Sequence, residues 1–274
     1  MNRLQRRRVK GFAVLLVALV AIAFGAWLSE AALRPTAIYS GGLLLVILIL
    51  LSCFNARKKL PFLPVFNASA WMQFHIYAGL LSIALFLVHI RFRFPTGVFE
   101  IVLAVVFAIV SLSGLAGLYL TRRLPRKMTD YGEAVIYEQV PMRRRQIQDE
   151  AEALVLRAES ELKSSSLTDF YLNELRPFLC DKPPMFFVLR SSRGSRQREL
   201  DEQIGSTSRY LAAEERPLLE ELRELVDEKR NLDFQYASQR LLKLWLFVHI
   251  PFTYSLLILA IAHGALALSY GARF

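Results

Sequence analysis

WMQFHIYAGLLSIALFLVHI, residues 71 to 90, is an apolar stretch of membrane-spanning length with a histidine near each end, His75 and His89. A second stretch, LWLFVHIPFTYSLLILAIAHGALALSY at 244 to 270, repeats the arrangement with His249 and His263. The chain has four histidines, all in these two stretches, and the members of each pair are fourteen residues apart. On a helix, fourteen residues rise about 21 Å and turn about 1400°, within about 40° of four full turns. Both rings of a pair therefore leave the same face, one near each membrane surface. Two such helices side by side offer two facing imidazole pairs, the ligand set required by two stacked haems with histidine above and below each iron.

Composition agrees with a membrane setting. Hydrophobic residues make up 54% of the 274 residues, in several apolar runs of about twenty, so the expected class is an integral membrane protein. The net charge of +10 does not point to nucleic acid. Residues 121 to 240 hold 21 Lys+Arg against 22 Asp+Glu, which leaves the basic excess at the ends of the apolar segments. That is the pattern of topology signals and of contact with anionic lipid.

The first apolar run, Gly11 to Ser29, follows Arg3, Arg6, Arg7, Arg8 and Lys10. Its length exceeds a signal-peptide core, so a retained first helix is expected. Ile38 to Phe54 is a second span, closed by Arg57, Lys58 and Lys59. The first histidine stretch is the third span and Ile101 to Leu120 the fourth, followed by Arg122, Arg123, Arg126 and Lys127. The heavy basic clusters place the N-terminus, 57 to 59 and 122 to 127 on the cytoplasmic side, and the loops around Arg34 and Arg91 outside. The third and fifth spans then run parallel. His75 is expected to meet His249 near the cytoplasmic surface and His89 to meet His263 near the outer one; antiparallel spans would instead pair His75 with His263.

Residues 121 to 240 read as a polar, mainly helical insert. Met142 to Leu162 and Leu167 to Leu179 have amphipathic helical periods, the second with Ser166 or Thr168 available as a cap. Met185 to Arg190 has the composition of a short strand, and Ser191 to Gly194 that of a turn. Pro217 suits a first helical turn, so a helix is expected to start near Arg216, to resume from Asp233 and to run into the fifth span. Pro251 should bend that span close to His249. There is no glycine-rich phosphate loop or dinucleotide fingerprint. Cys53 and Cys180 are isolated, with no CxxCH and no four-cysteine set.

An intramembrane histidine can do no more than hydrogen-bond a neighbouring helix or relay protons. Against packing alone stand the confinement of every histidine to a span and the recurrence of the spacing. A separation of about 21 Å between pair members also forbids a single four-histidine metal site. Gly79, one turn from His75, and the Ser113, Gly114 and Gly117 patch of the fourth span give clearance for a macrocycle or for another helix. Arg91 and Arg93 stand where they can pair with propionates of an outer haem or snorkel as solvated interfacial residues. Trp71, Trp245 and Tyr270 fit an aromatic belt, and Tyr77 and Tyr254 lie within reach of a cofactor.

With WMQFHIYAGLLSIALFLVHI, SGLAGLYL and LLKLWLFVHIPFTYSLLILAIAH in place, the chain resembles the transmembrane module of the ferric reductase and NADPH oxidase superfamily, and more loosely the bis-haem cytochromes b. The resemblance covers about 71 to 120 and 241 to 270. It implies two haem b cofactors, with His75, His89, His249 and His263 as axial ligands. It also departs from that pattern: no sixth span or flavin domain follows in this sequence, and the 121 to 240 insert replaces a short loop.

The expected architecture is all-α, with five transmembrane helices (about 11–29, 38–54, 69–90, 101–120 and one within 241–274) forming a haem-binding bundle. The expected function is transmembrane electron transfer, as a cytochrome b subunit rather than a complete enzyme. Its expected setting is the cell (inner) membrane, with the N-terminus and insert cytoplasmic and the C-terminus outside. Partners would be the lipid bilayer, redox proteins and quinone. The rival expectation is a haem-free membrane anchor or scaffold whose insert recruits partners. A transporter lacks the expected repeats and broken helices.

Overall fold

The computed structural model describes residues 3–31, 36–56, 68–130, 136–182, 184, 188–189 and 195–271. Every regular element among them is helical: α1 (Arg3–Ala31), α2 (Thr36–Ala56), α3 (Ala68–His89), α4 (Val98–Asp130), α5 (Val140–Leu162), α6 (Ser165–Phe170), α7 (Arg176–Cys180), α8 (Ser195–Tyr210) and α9 (Arg216–Gly271). The chain divides into two compact units, Met1–Leu118 with Trp245–Phe274, and Tyr119–Leu244.

The first unit holds the apolar segments. Among the described residues four helices are long and apolar enough to cross a membrane: α2 over Thr36–Phe54, α3 over Ser69–His89, α4 over Val98–Leu124, and α9 within Arg216–Ser269. The chain is thus a multi-pass membrane protein by the length and composition of its helices. In α1 the apolar run, Gly11–Gly25, is shorter. Its helix packs on α3, where Gly11 admits Tyr77: a Cβ at residue 11 would lie 2.5 Å from that ring. Leu44 and Leu48 of α2, Leu85 of α3, Phe107 of α4 and Leu256 of α9 form the buried centre. Phe86 stacks on Phe107 with centroids 4.2 Å apart. Phe247 and Ile258 of α9 remain 76% and 68% exposed, an outward apolar face that suits lipid rather than water.

The second unit is held by a continuous apolar stripe. Val140, Ile147, Ala151, Val155 and Ala158 recur at helical spacing along α5. They pack in one cluster with Leu167, Tyr171, Leu175 and Leu179 and with Leu219, Leu222 and Val226 of α9. A π-helical turn, Tyr171–Leu175, joins α6 to α7. Beneath this core, Asp233 binds both Lys229 Nζ at 2.5 Å and the Arg144 guanidinium, so three charged side chains share a nearly dry site.

Three local expectations change. The cap of α6 is Ser164, whose Oγ accepts from the Leu167 N–H at 3.3 Å. Ser166 and Thr168 are already helical, and only a residue in extended backbone ahead of the first turn can reach the free amides; Ser164 has φ −77° and ψ 97°. Thr168 instead donates back to the Ser164 carbonyl at 3.0 Å. The second change is in α9, which starts at Arg216 as Pro217 predicts but does not stop and resume near Asp233; it is unbroken to Gly271, with Pro251 inside it. The strand expected at 185 to 190 falls mainly on 185–187 and 190, outside the described residues, while Val188 and Leu189 lie in a 3-10 turn. The turn expected at 191 to 194 is also outside them.

Candidate functional site

Within the first unit the four histidines meet as two pairs. His75 of α3 faces His249 of α9, with ring centroids 6.4 Å apart and planes at 74°. His89 faces His263, with centroids 6.2 Å apart and planes at 87°. This is the pairing of parallel helices. Three of the rings are also flanked by an aromatic side chain: Phe54 by His75 at 5.1 Å, Trp245 by His249 at 5.5 Å, and Phe99 by His263 at 6.1 Å.

The Nδ1 atoms are turned to neighbouring helices. His89 Nδ1 lies 3.1 Å from the Ala37 carbonyl and 3.2 Å from Ser40 Oγ, both on α2. A carbonyl only accepts, so His89 carries its hydrogen on Nδ1 and its lone pair on Nε2. His249 Nδ1 lies 2.7 Å from Ser113 Oγ of α4, and that hydroxyl gives its own hydrogen to the Val110 carbonyl at 2.8 Å. With that hydrogen on Val110, Ser113 accepts from His249 Nδ1–H, which gives His249 the same tautomer. His75 Nδ1 is buried, with the Leu51 carbonyl beside it but outside hydrogen-bonding geometry. Leu51 and Ala37 are themselves fourteen residues apart on α2, so the spacing of the α3 histidines is matched by that of the carbonyls they face.

Glycines make these approaches possible. The carbonyl of residue i in a helix is shielded by the side chain at i+4, which lies one turn on along the same face. At Gly41, four residues after Ala37, a Cβ would stand 2.8 Å from His89 Cε1. At Gly117, four residues after Ser113, a Cβ would overlap the indole of Trp245, whose Nε1 donates to the Ser113 carbonyl at 2.7 Å. The clearance at Gly117 is therefore filled by Trp245 rather than left for a macrocycle. A Cβ at Gly114 would touch His249 Cε1 at an ordinary 3.7 Å, whereas one at Gly79 would meet nothing within 4 Å. Arg91 and Arg93 follow His89 in an exposed turn, in which Arg91 and Phe92 adopt left-handed backbone with φ 52° and 54°.

Comparison with family models, with curated proteins and with solved structures gave no match. The chemistry therefore rests on the geometry.

On the scale of an imidazole–metal bond of about 2.0–2.1 Å, with about 1.1 Å from nitrogen to ring centroid, two axial imidazoles on one ion stand about 6.3 Å apart. Both pairs match this separation. Neutral rings packed edge to face also fall in this range. The tautomers add what distance lacks: in His89 and His249 the nitrogen engaged by protein is Nδ1, leaving Nε2 in the ligating form. The residues present therefore fit a bis-imidazole centre at each pair. No group of three or more His, Cys, Asp or Glu side chains able to hold a bare metal ion occurs among the described residues.

Ala37, Ser40 and Gly41 were not among the residues singled out from sequence. Their one signal was the Ser40-Gly41-Gly42 run in a span otherwise rich in leucine and isoleucine.

Proposed function

We propose that this chain is a transmembrane electron-transfer subunit, a cytochrome b module in which His75 with His249 and His89 with His263 hold two b-type haems. The observation that carries it is the recurrence of one facing imidazole pair at each of two depths, 6.4 and 6.2 Å between centroids. Held by a histidine pair, each haem iron would supply one-electron transfer and would offer no open position to oxygen.

The chain's own residues do the rest. Ala37, Ser40 and Ser113 hold ligand tautomers, Trp245 backs His249, and the open space at Gly79 gives clearance next to the inner pair. Arg91 and Arg93 supply positive charge beyond the outer pair, suited to propionate carboxylates. The apolar helix exteriors keep water and bulk ions from the site. On this reading α1 is a fifth span, the N-terminus and the 121 to 240 region are cytoplasmic, and the C-terminus faces outward across the cell membrane. The basic clusters at 3 to 10, 57 to 59 and 122 to 127 support that orientation. The resemblance to the ferric reductase and NADPH oxidase module supports the same assignment, with redox proteins or quinone as exchange partners.

The test is a reduced-minus-oxidised visible spectrum of the purified full chain, with the haem extracted and counted. A b-type spectrum with two haems per chain is expected. A folded, colourless preparation would overturn the assignment and leave the haem-free anchor or scaffold.

A further inference from the structure

Each histidine pair has one member tied to a serine hydroxyl. Ser113 Oγ lies 2.7 Å from His249 Nδ1, and Ser40 Oγ lies 3.2 Å from His89 Nδ1. Both serines give their hydrogen to a backbone carbonyl of their own helix: Ser113 to Val110 at 2.8 Å, and Ser40 to Thr36 at 2.7 Å. Each is thereby converted from donor to acceptor, and an acceptor at Nδ1 holds the hydrogen there. The two settings differ. His249 has the hydroxyl at close range, whereas His89 shares Nδ1 between Ser40 and the Ala37 carbonyl at 3.1 Å.

We propose that Ser113 and Ser40 are positioning residues that lock His249 and His89 in the Nδ1–H form and set the reduction potentials of the two haems independently. This rests on the haem assignment above. An acceptor at Nδ1–H makes the imidazole more basic at Nε2, which favours the ferric over the ferrous state and lowers the potential. Ser113 acts on the inner centre without a second acceptor to replace it. Ser40 acts on the outer centre with Ala37 in reserve, so its loss is cushioned.

The local structure allows a clean test at Ser113. Its backbone carbonyl independently anchors Trp245 Nε1 at 2.7 Å. Replacing Ser113 with alanine removes the hydroxyl and leaves that carbonyl in place, and Ser113→Thr keeps an oxygen able to back-bond and accept.

The full-length protein, with haem bound, is titrated potentiometrically while the visible spectrum is followed. In Ser113→Ala the midpoint of one haem should rise and the other stay put. Ser113→Thr should return it towards wild type. Ser40→Ala should raise the other midpoint by less. If Ser113→Ala does not fold, the Thr variant and Ser40→Ala still decide: midpoints unchanged from wild type in Ser40→Ala, or a Thr midpoint displaced like a deletion, overturns the proposal. Equal midpoints across all variants in a protein carrying both haems overturn it while the haem assignment stands. A colourless wild type removes both.

Discussion

The rings of His75 and His249 stand 6.4 Å apart, centroid to centroid, with their planes at 74°. They come from spans separated by most of the chain, and His89 and His263 reproduce the relationship one helix length away at 6.2 Å and 87°. Ligands that share a centre should be lost together. Replacing His75 or His249 with leucine should remove the same haem from the spectrum, and replacing His89 or His263 should remove the other. Haem counts and potentiometric titration of the four variants check this; loss of different haems from His75→Leu and His249→Leu would refute the pairing.

Near-perpendicular imidazole planes carry a magnetic consequence. Coplanar rings donate π density along one direction and split two iron d orbitals, whereas crossed rings leave those orbitals close in energy. If the two pairs hold haem as proposed, both oxidised centres should give strongly anisotropic low-spin signals in low-temperature electron paramagnetic resonance. Their largest g values should exceed those of coplanar bis-imidazole haems. Two signals of the coplanar type would contradict the observed ring angles.

Glycine substitutions should separate sites of close approach from open ones. Alanine at Gly117 would overlap the Trp245 indole, and at Gly41 would press on His89 at 2.8 Å. Each should cost about 1–3 kcal/mol, the usual penalty for forcing a methyl into packed space. Alanine at Gly79 meets nothing within 4 Å and removes a flexible backbone position, so in haem-free protein it should be neutral or stabilising by up to about 1 kcal/mol. Thermal unfolding in detergent of the three variants reads the contrast.

The buried charges of the second unit make a separate prediction. Asp233 neutralises Lys229, whose side chain is 3% exposed, and Arg144, at 13%. Lys229 also lies over the Phe178 ring, with Nζ 4.4 Å from its centroid. Asp233→Ala strands two cations and should destabilise the unit by about 3–5 kcal/mol. Lys229→Met removes one charge and keeps the apolar stem, so it should cost far less. Limited proteolysis and denaturant unfolding of the two variants give the comparison.

Much of the architecture was legible because its signals are local. Hydropathy marks the apolar helices, and fourteen-residue spacing puts His75 with His89, and His249 with His263, on one face each. Pro217 marks the start of α9. Where local evidence was ambiguous, the reading slipped: it offered Ser166 or Thr168 as the cap, but 164 to 168 hold four hydroxyl residues, and only backbone conformation singles out Ser164. The interruption expected ahead of Asp233 does not occur, because Lys229 and Asp233, one turn apart on the continuous helix, are buried and paired with each other.

Sequence alone determined that this chain is helical and apolar enough for a membrane, and where along its helices the imidazoles sit, because residue identity and helical period suffice for both. Tertiary structure decided which imidazoles face each other and what holds their second nitrogens. The acceptor at His89 is the carbonyl of Ala37, the carbonyl beside His75 is that of Leu51, and every residue type carries a carbonyl. Which one is reachable depends on the antiparallel register of α2 against α3 and on the missing Cβ at Gly41, a relation between helices that no stretch of either one contains.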